Sequence, residues 1–181
     1  RLIVNTEHST VSGTGWFAQG QNASFRVMDE RIDDNGTRYQ FKGWNIKMYD
    51  SETKAWIRPP DEIWATIPDT TKLSSYLIMN NPYKVTAVWD TLYQLTTTIN
   101  VDTAGSILRK PDHEWINKGG VDTLTAVPSA DGSYIFGYWS GDVGSNDINS
   151  PTIHIVMDRA KSVQANFTGV YHTLTKEIKP E

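Results

Sequence analysis

Three blocks of this chain recur in the same order, and that duplication limits the possible fold more than any other property of the sequence. Tyr39-Gln40-Phe41-Lys42-Gly43-Trp44 returns as Tyr134-Ile135-Phe136-Gly137-Tyr138-Trp139. Upstream, Trp16-Phe17-Ala18-Gln19-Gly20 returns as Trp115-Ile116-Asn117-Lys118-Gly119. Downstream, Met79 followed by Val85-Thr86-Ala87-Val88-Trp89 returns at identical spacing as Met157 followed by Val163-Gln164-Ala165-Asn166-Phe167. The chain is two copies of one unit, and each copy has to bury its own apolar residues.

Within a copy the apolar residues alternate. Ser24-Phe25-Arg26-Val27 and Asp122-Thr123-Leu124-Thr125-Ala126-Val127 have the period of two that places every second side chain on one face of a strand. Asp33-Asp34-Asn35-Gly36 signals a hairpin turn, since Asn-Gly tolerates positive φ, and Ala130-Asp131-Gly132 is expected to do the same in the second copy. A 3.6-residue apolar period never persists, and a short helical turn between Asp50 and Ala55 is the most helix the pattern allows. The expected fold is all-β: two tandem small β-sheet modules, sandwich or β-grasp-like, with a strand-like C-terminal tail. The modules are placed at residues 1–90, with an insertion near 45–75, and at 91–168, with the tail at 169–181. Trp89 leads into Leu92-Tyr93-Gln94-Leu95 with no Gly/Ser/Pro linker, so the joint is expected to be stiff.

Composition narrows the chemistry. Of the 181 residues, 17 are Lys or Arg and 21 Asp or Glu, a net charge of −4 that leaves no basic stripe for nucleic acid. There are no cysteines, which excludes disulfides, thiolate metal sites and a cysteine nucleophile. The longest apolar run is Tyr76-Leu77-Ile78-Met79, too short for a membrane-spanning helix. Gly-x-Ser-x-Gly, His-Glu-x-x-His and phosphate-loop patterns do not occur, and His8, His113, His154 and His172 have no ligand spacing. No catalytic residue and no cofactor is assigned, and the chain is not expected to be an enzyme.

The repeated aromatics are assigned to the core, because each buries about 150–250 Å², which a small module needs to offset its conformational entropy. Trp56 and Trp64 lie in the insertion without counterparts and are the candidates for ligand contact, most plausibly glycan. The loop from Ser140 to Asn149 is rich in oxygen donors, with Asp142, Asp147 and Asn149 as conceivable calcium ligands. Asx-rich stretches of this kind are more often turns, and no metal is favoured. Asn22, Asn35 and Asn166 open acceptor sequons for N-glycosylation, which applies if the chain is exported.

Tyr134 to Asp142, Pro151, Met157-Asp158 and Ser162 to Phe167 together resemble the divergent internalin B-repeat family, also called the bacterial repeat domain. Gly13-Thr14-Gly15-Trp16-Phe17 resembles the tandem Gly-Trp-Tyr version of archaeal surface proteins. The first copy departs from the pattern, with Trp44-Asn45-Ile46 where the second has Trp139-Ser140-Gly141-Asp142. The resemblance implies an extracellular, β-rich, non-catalytic module of the kind found in adhesins, surface layers and stalks. Its partners would be copies of itself or neighbouring surface modules.

Two function classes follow: a structural building block of an extracellular fibre, surface layer or stalk, and a carbohydrate-binding accessory module. The stretch after Phe167 bears on the choice. Tyr171 follows Phe167 at the distance by which Tyr93 follows Trp89, so the tail resembles the opening strand of a third copy. It is expected either to continue into a longer repeat protein or to add to a sheet of the next subunit. In that second case Val170, Tyr171, Leu174 and Ile178 would meet a partner at the end that carries Leu2 and Val4.

Overall fold

The computed structural model describes residues 1–171 and is nearly all β, with 56% of residues in strands and 2% in helix. It divides into two compact units, one spanning Arg1–Leu92 and the other starting at Tyr93.

In the first unit, β1 (Leu2–Asn5), β4 (Arg31–Asp34), β5 (Thr37–Asp50), β6 (Ala55–Ile57) and the first part of β8 (Tyr83–Ile99) form one sheet. A second sheet has the order β2 (Val11–Ser12), β3 (Asn22–Val27), β7 (Ser74–Ile78). The alternation read from the sequence decides what lies between them. Ala23, Phe25 and Val27 of β3 and Leu77 of β7 share one cluster with Leu2 and Val4 of β1, Trp44, Ile46 and Met48 of β5, and Val85 and Ala87 of β8. Two sheets facing one apolar layer make a sandwich. The β-grasp alternative is not realised here, because the one helix, α1 (Asp61–Trp64), has four residues and buries none of them.

The second unit repeats the plan. One sheet holds β12 (Tyr134–Gly141), β14 (Lys161–Gly169) and the last part of β8, with β10 (Trp115–Asn117) also on β8. The other has the order β13 (Thr152–Val156), β11 (Val121–Pro128), β9 (Gly105–Lys110). Leu95, Leu124, Ala126, Trp139, Ile153, Ile155, Met157, Val163, Ala165 and Phe167 fill its core.

The repetition extends to the hydrogen-bond register. Leu2 faces Tyr83 in a parallel pairing of β1 with β8, and Leu95 faces Lys161 in a parallel pairing of β8 with β14. Tyr83 and Lys161 hold the same place relative to Val85 and Val163, so Leu2 and Leu95 are equivalent. In the other sheets Asn22 faces Ile78 and Val121 faces Val156, again equivalent pairs. The Met79 amide bonds Gln21 O at 2.9 Å, and the Met157 amide bonds Gly120 O at 2.9 Å.

Both conserved-plan tryptophans are held identically. The Trp44 amide donates to Thr70 O and its indole N–H to Lys72 O, each at 2.9 Å. The Trp139 amide donates to Ile148 O at 2.8 Å and its indole N–H to Ser150 O at 2.9 Å. Neighbouring Phe41 and Phe136 contact these rings at centroid distances of 5.4 and 5.5 Å. This satisfies the one polar group of each ring and leaves the rest as apolar filling.

Three local expectations change. Residues 51–54 close a hairpin between β5 and β6, with Asp50 facing Ala55, and the helical turn lies further on at Asp61–Trp64. The Asp50 carboxylate drives this by accepting the Glu52 amide at 2.8 Å and the Thr53 hydroxyl at 2.9 Å, the local bonding that makes Asp a turn former. Asn35 and Gly36, at φ 47° and 76°, do form the hairpin turn between β4 and β5. Ala130-Asp131-Gly132 does not: it joins β11 to β12, which belong to different sheets. Trp16 departs from the core assignment and is 81% exposed, because Phe17 and Ile116 turn inward and alternation sends the preceding residue outward.

Candidate functional site

The residues singled out as ligand contacts are largely committed to packing or turns. Trp64 packs against the first unit's core, with the Arg58 guanidinium 5.0 Å from its ring centroid. Trp56 is half-buried and meets Tyr49 edge-on at 5.5 Å. Neither presents an open ring face of the kind Trp16 does. Trp16 has the Arg1 guanidinium at 5.6 Å, and only its position in the alternating pattern marked it.

In the loop after β12 the acidic groups face their own surroundings. Asp142 accepts the Ser162 amide at 3.0 Å and the Arg159 guanidinium at 2.6 Å. Asp147 accepts the Asn149 amide at 3.0 Å as an Asx turn. Among the described residues no three His, Cys, Asp or Glu side chains converge on a common point. The Ser162 amide first, and the Arg159 charge after it, hold the Asp142 carboxyl below the ordinary aspartate range. A lowered folded-state pKa stabilises the fold fully above the unfolded value and is lost as pH falls through the lowered one. Asp142→Asn is therefore expected to flatten the fall of melting temperature below about pH 4. An acid limb unchanged by the substitution would remove Asp142 from that account.

The three sequons differ. Asn22 and Asn35 are exposed at a strand start and a turn tip. The Asn166 amide nitrogen, the atom a glycan would occupy, donates to Ser140 Oγ at 2.9 Å and to Tyr138 O at 3.2 Å. Its outward strand position alone suggested an accessibility that these two bonds take away.

The sheet edges carry the rest of the geometry. Leu2 and Val4, expected at a subunit interface, are buried core residues of their own unit. The outer edge of their strand is closed as well: Leu2 exchanges two backbone bonds with Gly15, at 2.8 and 3.0 Å, and Thr14 Oγ1 accepts the Val4 amide at 2.9 Å. The outer edge of β13 is closed by side chains. Asn146 bonds both the amide and the carbonyl of His154, at 3.1 and 2.9 Å. Ser150 Oγ donates to Thr152 O at 2.8 Å, and Lys161 Nζ to Val156 O at 2.7 Å. The outer edge of β5 is covered by β4, with Tyr39 opposite Ile32. Val170, next to β14, donates its amide to Ser133 O at 2.8 Å, and Tyr171 is 95% exposed. Leu174 and Ile178 lie outside the described residues.

Residues 95–170 match the divergent InlB B-repeat domain. The matched span opens at Leu95, the residue that starts the second unit's parallel register, and ends at Val170, just past its closing strand. The matched span thus takes in the strands of the second unit from Leu95 onward, and the first unit reproduces their register with an insertion. No curated protein and no solved structure matches the chain. No helix among the described residues is long and apolar enough to cross a membrane.

Sequence reasoning missed the side-chain closure of β13. The signal was present in Asn146, eight residues before His154, but nothing local marks an amide that bonds a strand edge in place of a neighbouring strand.

Proposed function

We propose that this chain is a non-catalytic structural module of an extracellular assembly, a fibre, surface layer or adhesin stalk, that joins copies of itself or neighbouring surface modules. The observation that carries this reading is β8. Its first part is the closing strand of one repeat and its last part the opening strand of the next, in the same register against each unit's own partner. A module whose last strand runs on into the first strand of another suits serial arrays. The surface location comes from the matched domain family.

Copies would join by strand addition, which uses main-chain bonds for affinity. The burial of Leu2 and Val4 withdraws them as partners. The segment from Val170 to Ile178 stays a candidate donor on its sequence pattern. Exposed Asn22 and Asn35 are the sequons suited to glycan attachment.

One observation favours the second reading, a carbohydrate-binding accessory module: the open ring of Trp16, rather than those of Trp56 and Trp64. Sedimentation and electron microscopy of the purified chain separate the two. Concentration-dependent polymers are expected. A strict monomer whose tryptophan fluorescence is quenched by polysaccharide would replace the first reading with the second.

A further inference from the structure

Among the described residues, each unit leaves open the edge that the other closes. In β7 the odd-numbered residues bond β3, as the Met79 amide does just beyond the strand, so Ser74 and Tyr76 point their N–H and C=O groups outward. The equivalent positions in β13 are those that Ser150 and Asn146 cap. Pro68 stands at the place corresponding to Asn146, and its hydrocarbon ring has no carboxamide with which to bond the strand edge. Among the described residues nothing bonds the outward groups of Ser74 or Tyr76. The strand ends its sheet, and Tyr76 and Ile78 beside this edge are 43% and 42% exposed.

The second unit shows the reverse. Ser133 bonds toward Val170, so Tyr134 and Phe136 point their backbone groups away from β14. Their counterparts Tyr39 and Phe41 are covered by β4 and by Glu30 O at 2.8 Å. Among the described residues the second unit has no strand in that place, β12 ends its sheet, and Ile135 and Tyr138 beside it are 55% and 46% exposed. Unpaired edges of this kind are what natural sheets otherwise blunt or cover, as β13 and β5 are here.

We infer that β7 of one copy pairs with β12 of a second copy, so that the two open edges are the head and tail of the assembly. The inference rests on the proposed structural role and names the surface that performs it. Ser74 and Tyr76 supply two donors and two acceptors, and Tyr134 and Phe136 supply the same. The two edges belong to different units, so the contact is heterologous: each added copy leaves one of each kind free, and the rotation between copies sets whether the series is an open filament or a ring.

Proline tests this, because at an edge it removes only an outward N–H and leaves the strand's own ladder intact. In the full chain, Tyr76→Pro and Tyr134→Pro are each expected to move the onset of assembly to roughly tenfold higher concentration or beyond. Mixed in equal amounts, the two variants still share one intact β7 and one intact β12. They are expected to stop at a dimer of twice the chain mass in sedimentation velocity. Ser74→Pro, at the first residue of the strand, serves in place of Tyr76→Pro if near-ultraviolet circular dichroism shows the latter misfolded. Asn146→Ala opens the capped edge of β13 and is expected to add branched or aggregated species. Polymers unaffected by all three prolines would overturn the pairing while leaving the structural role standing. Loss of assembly only on truncation after Thr168 would instead assign the contact to the terminal segment. A wild-type chain that never self-associates would overturn both the pairing and the structural role.

Discussion

Trp139→Ala is expected to lower the unfolding free energy by about 3–5 kcal/mol, the usual cost of emptying a large aromatic site in a tight core. Trp139 is 1% exposed, touches Phe136, and is the largest fully buried side chain of the described residues. Part of the loss is polar: without the indole N–H, Ser150 O loses its donor. Trp139→Phe keeps most of the volume and removes that bond, and is expected to cost about 1–3 kcal/mol. The urea midpoint at unchanged slope reads both. A Trp139→Ala effect below about 1 kcal/mol would show that the ring is not the second unit's central packing element. Trp44→Ala is expected to act alike in the first unit, since its ring is held by the equivalent carbonyls.

Asp122→Ala should be nearly as costly. Asp122 is fully buried, and its side chain accepts the Arg109 guanidinium at 2.7 and 3.0 Å and the Lys110 amide at 3.2 Å. Arg109 is itself largely buried, and it also donates to Leu95 O and His113 O, at 3.2 and 2.5 Å. Removing one partner leaves a charge in a poorly solvated place, which costs about 3–5 kcal/mol. The first unit shows that the frame does without this pair. Ala23 stands where Asp122 does. The residue in line with Arg109, which faces Leu124, is Gly13, next along the chain after Ser12, which faces Arg26; a Cβ on Gly13 would lie 2.7 Å from the Phe25 Cα. Arg109→Leu combined with Asp122→Ala is therefore expected to recover much of the single-variant loss, though not the bonds to Leu95 and His113. A double-mutant cycle gives the coupling directly. Additive losses would mean that the pair is not coupled in the folded state.

The repeat, the alternation and the aromatic positions could all be seen in the sequence, because each is a local or periodic property. Trp44 and Trp139 were recognisable as core by their equivalent settings, and Asn35-Gly36 as a turn by its tolerance of positive φ. Beside the local misreadings at residues 50–55 and Trp16, two of the readings that failed concern relations between distant segments. Ala130-Asp131-Gly132 has the composition of a hairpin turn, yet it connects two sheets, since among the described residues no strand like β4 pairs with β12. Leu2 and Val4, expected at a subunit interface, are core because β8 supplies a partner some eighty residues away.

By itself the sequence determined that the chain is two copies of one all-β unit, which residues of each strand face inward, and which family the second copy matches. Periodicity and spacing carry the first two because side-chain direction in a strand follows position along the chain, and the family match rests on the motif residues themselves. Only the tertiary structure decided which edges are closed and which are open. Edge closure depends on what folds beside a strand: β4 against β5, Asn146 against His154, Thr14 and Gly15 against β1. Those partners come from elsewhere in the chain, so no local pattern at β7 or β12 announces that none stands beside them among the described residues.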